Sequence, residues 1–404
     1  MWGGADCLFL HRGALDDENP YLKSAVLHQW IFSYELPDTI IVLTKDGDFY
    51  MLATKKKCDF IRPAADQLQK KASSIQNIHL LVRNKDDGNR ENYDKLWKAS
   101  GLDQGKQQIG VILKERTINL SSGDGILKPW ETKLTEALEA EELTLVDVTA
   151  GISFVMSVKD ESELDLVKKS SVLSNKVMKH GFVKKMEDII DSEKSITHEE
   201  LATMIEEILE DPTKINLKVP KEDVQSCYFP IIQSGGKYDL KVSAQSTGDR
   251  LSHDIICVSF GARYRSYCSN IARTFLVDPP KKVSETYEIL LELQDACLSA
   301  MKPGTPIKSI YKAAVKFLQD RAPHLVGCLP KNLGFATGID FRETNFLLSP
   351  KNSATIKEGM VFCLSVGLQD VELTEEDRSA TPDKSPVRIL LSLVIHHYFF
   401  FYFC

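Results

Sequence analysis

Hydrophobic and polar positions in the first part of the chain form short apolar runs separated by helical patterns. The run TIIVLTKDGDFYMLAT, residues 39–54, holds two alternating segments around Asp46 and Gly47, a pair typical of hairpin turns because glycine readily takes a positive φ. Buried strands are predicted at residues 78–83, 108–113 and 143–149, and helices at residues 65–74 and 130–142. This alternation predicts an α/β lobe over residues 1–157.

After this lobe the apolar spacing becomes helical. It predicts one long helix over residues 161–192, interrupted near Gly181, and the sequence THEE from Thr197 matches a capping box that begins the next helix. Strand patterns then dominate residues 227–278, and two helices are expected at residues 284–301 and 307–321. We therefore expect a second, α+β lobe over residues 158–395.

The two ends of the chain are unusual. The run ILLSLVIHHYFFFYFC, residues 389–404, is shorter than the roughly 20 residues that a transmembrane helix needs, so we expect no membrane anchor. We predict a buried strand over residues 387–395 and interpret residues 396–404 as an atypical aromatic tail, a gene-model artefact. The abrupt, strand-like start MWGGADCLFL predicts an incomplete N-terminus.

Composition and charge narrow the class of protein. Hydrophobic residues make up 43% and charged residues 26%, values typical of a globular chain. The formal net charge of -7 argues against wrapping of nucleic acid, and we expect no sequence-specific DNA binding. Nine cysteines without a CxxC pair indicate a reducing compartment, and they predict neither a disulfide framework nor a zinc finger.

The stretch VSFGARYRSYCSNIARTFLVD, residues 258–278, predicts a hairpin that carries polar residues where a metal site would need carboxylates. A turn centred between Tyr264 and Arg265 would place Ser259 directly opposite Asn270. Two carboxylates at such positions could bridge a pair of divalent ions and activate a water molecule. Neutral Ser259 and Asn270 cannot offset the charge of two ions, so we expect no metal here.

This hairpin resembles the FGARY-containing hairpin of the proline-specific aminopeptidases, which share the pita-bread fold with methionine aminopeptidase, prolidase and creatinase. GFATGIDFRE (334–343), GMVFCLSVG (359–367) and QSGGKYDLK (233–241) resemble further strands and the approach loop of that family. The resemblance implies a creatinase/prolidase-type α/β lobe followed by a pita-bread, aminopeptidase-like lobe. It also implies four vestigial ligand positions, which are Ser259, Asn270, Phe335 and Ser365.

The same resemblance implies a pseudo-peptidase with no catalytic residues, no metal and no cofactor. It places Lys241 near a substrate-binding histidine, Arg342 at a second histidine, and Glu343 at a retained glutamate. These three residues are candidates for a peptide- or histone-binding cleft, although a local ion pair is the simpler interpretation of Arg342 and Glu343. The alternative function is an active, metal-dependent, proline-specific aminopeptidase that uses substitute ligands.

Four longer stretches, residues 24–45, 227–241, 267–279 and 331–343, resemble the N-terminal region of the large subunits of the FACT (facilitates chromatin transcription) histone chaperone, including the same ligand losses. The resemblance implies a truncated plant version that reorganises nucleosomes during transcription elongation, DNA replication and DNA repair. It implies a nuclear, chromosomal location. The implied partners are an HMG-box small subunit and the core histones, both as a tetramer and as the histone 2A/2B dimer.

Two acidic runs, EALEAEEL (136–143) and EEILEDP (206–212), bear on histone binding. Basic histone tails could be attracted to them through long-range electrostatic fields. Charge runs on helices are usually solvated faces, and we favour that interpretation.

Overall fold

The computed structural model describes residues 2–16, 18–69, 75–105, 107–116, 125–236, 238–241, 243–372 and 387–396, the last range as backbone only. Contacts within the chain divide it into two compact units, Met1–Met156 and Ser157–Cys404. The first unit corresponds to the predicted α/β lobe and the second to the predicted pita-bread lobe.

The first unit is built on a mixed sheet of six strands in the order β4-β3-β2-β1-β5-β6. Its strands are β1 Cys7–Arg12, β2 Thr39–Thr44, β3 Asp48–Ala53, β4 Asn77–Val82, β5 Gln107–Val111 and β6 Leu143–Asp147. The predicted hairpin is confirmed, because β2 and β3 pair antiparallel around Gly47, whereas β3–β4, β1–β5 and β5–β6 are parallel. Parallel pairs need crossover helices, which is why strands and helices alternate along the sequence.

A mainly aliphatic core, which also contains the rings of Phe9, Tyr93 and Trp130, lies between the sheet and the helices of this unit. These helices are α1 Lys23–Phe32, α2 Lys55–Gln69, α3 Arg90–Ala99, α4 Leu127–Glu139 and α5 Thr149–Ser157. The Phe9 and Trp130 rings meet edge to face at 5.1 Å between centroids, joining β1 to α4. The helix predicted at residues 65–74 begins at Lys55, earlier than expected. The sequence pattern does not reveal this start, because residues 55–57 are lysines without an apolar stripe and Pro63 lies inside α2. Residues 70–74 lie outside the described part of the chain.

The second unit begins with the predicted long helix. It runs through α6 Glu161–Val177, a single π-helical segment Met178–Val183 and α7 Lys184–Asp191. Gly181 lies in the π segment, where an added Cβ would be 3.3 Å from Ile208 Cδ1, so glycine permits close packing there. α8 is His198–Glu210, and the predicted capping box is present, because Thr197 Oγ1 accepts from the Glu200 amide at 3.1 Å. The remaining helices are α9 Lys281–Ala300 and α10 Lys308–Arg321.

An antiparallel sheet of seven strands forms the centre of this unit, in the order β14-β13-β15-β16-β12-β9-β8. Its strands are β8 Ile231–Gln233, β9 Ile255–Phe260, β12 Ile271–Leu276, β13 Gly334–Ala336, β14 Glu343–Leu347, β15 Val361–Val371 and β16 Val387–His396. A smaller sheet contains β7 Val224–Ser226, β10 Ala262–Tyr264 and β11 Tyr267–Cys268. The predicted C-terminal strand is therefore present as β16, between β15 and β12.

Both faces of the seven-stranded sheet are covered. Ile255 and Cys257 on β9 join the core formed with α9 and α10, whereas Ile256 and Val258 join the core formed with α6 and α8. Successive side chains on a strand point to opposite faces, so one strand contributes to two cores. This double-sided arrangement is the pita-bread fold that the sequence predicts.

The predicted aromatic tail lies largely beyond the described residues, since only His396 of residues 396–404 is described and only as backbone. None of the helices in the described ranges combines the length and apolarity required to cross a bilayer.

Candidate functional site

The hairpin at residues 258–278 has a register that differs from the predicted one. Ser259 pairs with Ala272 and not with Asn270, because the turn is centred between Arg265 and Ser266, one residue later than predicted. Moving a turn centre by one residue moves every cross-strand partner by two. Asn270 is two residues from Ala272, the partner of Ser259, and side chains two residues apart on a strand share a face. Ser259 and Asn270 therefore still project to the same side.

The four predicted ligand positions converge on one small cavity. Ser259 comes from β9, Asn270 precedes β12, Phe335 lies on β13 and Ser365 lies on β15, and all four line the cavity. Its volume is about 40 Å³. Positions separated by about a hundred residues in the chain are thus brought together by the central strands of the sheet.

Tyr228 joins two of these side chains through its phenol oxygen. Tyr228 Oη donates to Asn270 Oδ1 and lies 2.7 Å from Ser259 Oγ. A phenol has a single hydrogen, so the Ser259 hydroxyl donates to Tyr228 in this arrangement. Burial raises the pKa of Tyr228 well above its ordinary value, which keeps the phenol protonated and able to donate. The three groups form a neutral hydrogen-bonded chain.

Aromatic rings fill the rest of the site. The Phe341 ring lies 5.0 Å from the Tyr228 ring and 5.4 Å from the Phe335 ring, measured between centroids. Phe335 is 3% exposed and Phe341 is 6% exposed, so both rings are buried beside the cavity. Their packing explains why so little volume remains.

The groups present do not fit a pair of divalent ions. Hard cations require several oxygen ligands, mostly anionic, and the side chains at the four positions are two hydroxyls, one amide and one phenyl ring. Among the described lining residues Asp239 is the one carboxylate, and its Oδ2 lies 3.5 Å from Lys241 Nζ. The described residues contain no group of three or more His, Cys, Asp or Glu side chains placed to hold a metal ion.

The three candidate cleft residues are placed differently from one another. Lys241 lines the cavity with an exposed side chain, paired with Asp239. Arg342 lies over the Phe335 ring with its guanidinium carbon 5.8 Å from the centroid, and its Nε makes no hydrogen bond to the residues that the structure describes. Glu343 is 7% exposed and accepts from the Asn345 amide at 3.3 Å. Lys241 therefore lines the site, whereas Arg342 and Glu343 are not among the lining residues, and Arg342 contacts the site only through the Phe335 ring.

Tyr228 and Phe341 were not singled out by sequence reasoning. Tyr228 lies in the stretch of residues 227–241 and Phe341 lies in GFATGIDFRE. Neither is adjacent in sequence to any of the four predicted ligand positions, so no local signal connects them with the site. Cys268 and Cys363, on strands of the same unit, are both fully buried.

A larger polar pocket of about 500 Å³ lies beside the approach loop. The His198 imidazole is held there between Ser234 Oγ, at 2.7 Å, and Thr247 Oγ1, at 3.3 Å. Ser234 Oγ also accepts from the Ser252 amide at 2.7 Å. Burial lowers the pKa of His198, so the ring is neutral and hydrogen-bonded on both sides. We interpret His198 as a structural residue that fixes the loop.

Comparisons with known proteins agree with this description. A model of metallopeptidase family M24 matches residues 165–396, and a model of the FACT complex subunit SPT16 N-terminal lobe domain matches residues 1–151. The solved N-terminal domain of FACT complex subunit SPT16 from Cicer arietinum is 35% identical with a TM-score of 0.85, and the match covers 98% of this chain and 89% of that chain. The chain belongs to the SPT16 family.

Two further comparisons define the extent of this similarity. The FACT complex subunit SPT16 of Arabidopsis thaliana is 36% identical over 391 residues, which are 94% of this chain and 35% of that protein. The chain thus spans about a third of the length of its curated SPT16 relatives. The X-Pro aminopeptidase from Thermotoga maritima MSB8 is 17% identical with a TM-score of 0.66, covering 97% of this chain and 93% of that chain, so it shares the fold. The SPT16 relatives are named as FACT subunits and not as peptidases.

Proposed function

We propose that this chain is a catalytically inactive, histone-binding module of a FACT complex. The observation that supports the proposal is the cavity in which Tyr228 links Ser259 and Asn270. A peptidase of this fold needs metal ligands at the centre of its sheet, and the four predicted ligand positions here hold neutral side chains beside the Tyr228 and Phe341 rings.

The wider role in this proposal is that of the FACT complex. The module would take part in nucleosome reorganisation during transcription elongation, DNA replication and DNA repair, in the nucleus and on chromosomes. Its partners would be an HMG-box small subunit and the core histones, as the tetramer and as the histone 2A/2B dimer. Because the chain spans 35% of its curated relative, contacts made by the rest of a full-length subunit lie outside this module.

A peptide-binding fold remains useful without its chemistry. Recognition of an extended segment uses backbone pairing at a strand and pockets for side chains, and neither requires a metal. Lys241 lines the small cavity, Arg342 lies over the Phe335 ring, and both would form the rim of such a cleft. The acidic run on α8 contributes less charge than its sequence implies, because Glu207 is paired with Lys214 at 2.6 Å. This pairing favours the interpretation of that run as a solvated face.

The first experiment tests inactivity. We expect purified protein to carry no stoichiometric manganese, cobalt or zinc by mass spectrometry. We expect no release of the N-terminal residue from a proline-containing peptide when manganese or cobalt is added. Turnover together with stoichiometric metal would instead establish the alternative function, an active proline-specific aminopeptidase using substitute ligands.

The second experiment tests histone binding and its location. We expect the chain to bind the core histone tetramer and the histone 2A/2B dimer in pull-downs that persist at moderate salt, whereas purely non-specific attraction is screened. Lys241→Glu should strengthen binding of a basic histone tail about threefold if the tail passes this rim. Lys312→Glu on α10 makes the same charge change at another exposed position and should have no effect. Equal effects of both variants would place the histone contact elsewhere.

A further inference from the structure

A second groove lies on the same unit, lined by residues other than those of the small cavity. It is formed by α6, by the irregular segment of residues 217–220 that follows α8, and by Tyr264 at the end of β10. Its volume is about 530 Å³, against about 40 Å³ for the cavity around Ser259. Ligand pockets in proteins commonly enclose about 300 to 1,000 Å³, so this groove can receive several side chains.

The charge of the groove is opposite to that of the protein. Four lysines and one aspartate line it, a net charge of +3 from four minus one, whereas the whole chain carries -7. The lysines are Lys168, Lys169, Lys176 and Lys218. Lys169 is paired within the groove with Asp165, at 2.6 Å. A concentration of positive charge on an acidic protein attracts anionic segments and repels histone tails.

The floor of the groove is apolar. Val172 and Leu173 on α6 face Leu217, Val219 and Tyr264, and all of these side chains are buried or half-buried. Duplex DNA presents phosphates to basic surfaces and has no side chain to insert between them. A lysine rim around an apolar floor matches a peptide in which acidic residues surround a bulky apolar one. The acidic side chains of such a peptide pair with the lysines, and its apolar side chain packs on the floor.

We propose that this groove binds an acidic peptide segment of a partner protein, anchored by one or two large apolar side chains. The anchor packs on the floor between Val172 and Val219, and the flanking carboxylates lie near Lys176 and Lys218. This site is distinct from the proposed histone-binding cleft and takes a partner of the opposite charge. Its occupation does not depend on histone binding.

The test uses the whole chain and fluorescein-labelled peptides in fluorescence polarisation. The probe is a short peptide of aspartates and glutamates around a central Leu-Phe pair. Comparison ligands are the same peptide with the pair replaced by Ser-Ser, a lysine-rich peptide, and a DNA duplex. We expect saturable, salt-sensitive binding of the probe and about tenfold weaker binding of the Ser-Ser peptide, because burying two large apolar side chains contributes more than one factor of ten.

Matched charge reversals locate the site. Lys176→Glu combined with Lys218→Glu should weaken probe binding about tenfold, since two attractive contacts become repulsive. Lys312→Glu combined with Lys316→Glu on α10 makes the same change in net charge at exposed positions and should leave binding within about twofold. Circular dichroism of both double variants serves as the check that they are folded.

The proposal is overturned if the Ser-Ser peptide binds as well as the probe, if both pairs of reversals weaken binding equally, or if the DNA duplex binds more tightly and displaces the probe. Histone pull-downs with the Lys176→Glu, Lys218→Glu variant separate this result from the proposed function. If this variant binds histones but no longer binds the probe, the result supports two separate sites. If it binds neither, the claim that the two sites are independent is overturned.

Discussion

The hydroxyl oxygens of Tyr228 and Ser259 lie 2.7 Å apart, where the segment before β8 meets β9. Tyr228 also donates to Asn270, so one phenol connects two side chains that project to the same side of the hairpin. The uncharged side chains of Ser259 and Asn270 thus each form a hydrogen bond with the neighbouring Tyr228 side chain. The three side chains form a hydrogen-bond network, and we expect it to stabilise the fold.

Replacing Tyr228 with phenylalanine should therefore destabilise the second unit. The change leaves Ser259 and Asn270 without their shared partner, and we expect a loss of about 1 to 3 kcal/mol in the free energy of unfolding. Tyr311→Phe is the matched control, because Tyr311 Oη makes a single hydrogen bond, to the Pro330 carbonyl at 3.0 Å. Urea denaturation followed by circular dichroism measures both, and a larger loss in the control would contradict the prediction.

Restoring two carboxylates should not restore a metal site. The double variant Ser259→Asp, Asn270→Asp adds two negative charges beside a cavity of about 40 Å³, so we expect lower thermal stability at neutral pH. Added manganese should raise the melting temperature only slightly, because Phe335 and Ser365 supply no anionic ligand. Isothermal titration calorimetry measures uptake, and stoichiometric manganese binding would show that the cavity can open to accept ions.

Stability of the first unit should fall as the pH drops below neutral. Burial lowers the pKa of His28 from 6.5 to about 3, so the unfolded chain binds a proton at pH 5 that the folded chain does not. The contribution of neutral His28 to the free energy of unfolding is fully present above the pKa that His28 has in the unfolded chain. It is lost progressively below that pKa, and the loss is about 2 kcal/mol at pH 5.

His28→Phe should remove that part of the pH dependence while retaining a ring beside Phe32. His11, whose pKa is lowered to about 4 chiefly by burial, should maintain a similar loss in both proteins. All four tryptophans lie in the first unit, so their fluorescence during urea denaturation reports on this unit. Parallel stability curves for the variant and the parent protein between pH 5 and pH 7.5 would contradict the assignment.

Gly261 should tolerate no side chain. An added Cβ would collide with the backbone carbonyl of Ser269 across the hairpin, so we expect Gly261→Ala to cost about 3 kcal/mol or more. Gly327→Ala is the control, since no described atom lies within 4 Å of its added Cβ, and its effect should stay within about 0.5 kcal/mol. Thermal denaturation compares the two, and similar melting temperatures would show that the hairpin moves aside.

Local signals predicted most of the fold and part of the site. Thr197 and Glu200 are three residues apart, so their capping box could be predicted from four letters. The hairpin register could not, because RYRS lacks the glycine or asparagine that marks such turns, yet Arg265 and Ser266 adopt positive φ values of 44° and 72°. Tyr228 is 31 residues from Ser259, and only tertiary packing brings their hydroxyls together.

The position of β16 has a consequence for how the second unit is assembled. This strand joins β15 to β12, although it follows both in the sequence. Before it is synthesised, β13, β14 and β15 can pair with one another, as can β8, β9 and β12, but each group retains an unpaired edge. Closure of the sheet therefore waits until the ribosome has passed His396, and one late strand then protects two exposed edges in a single step.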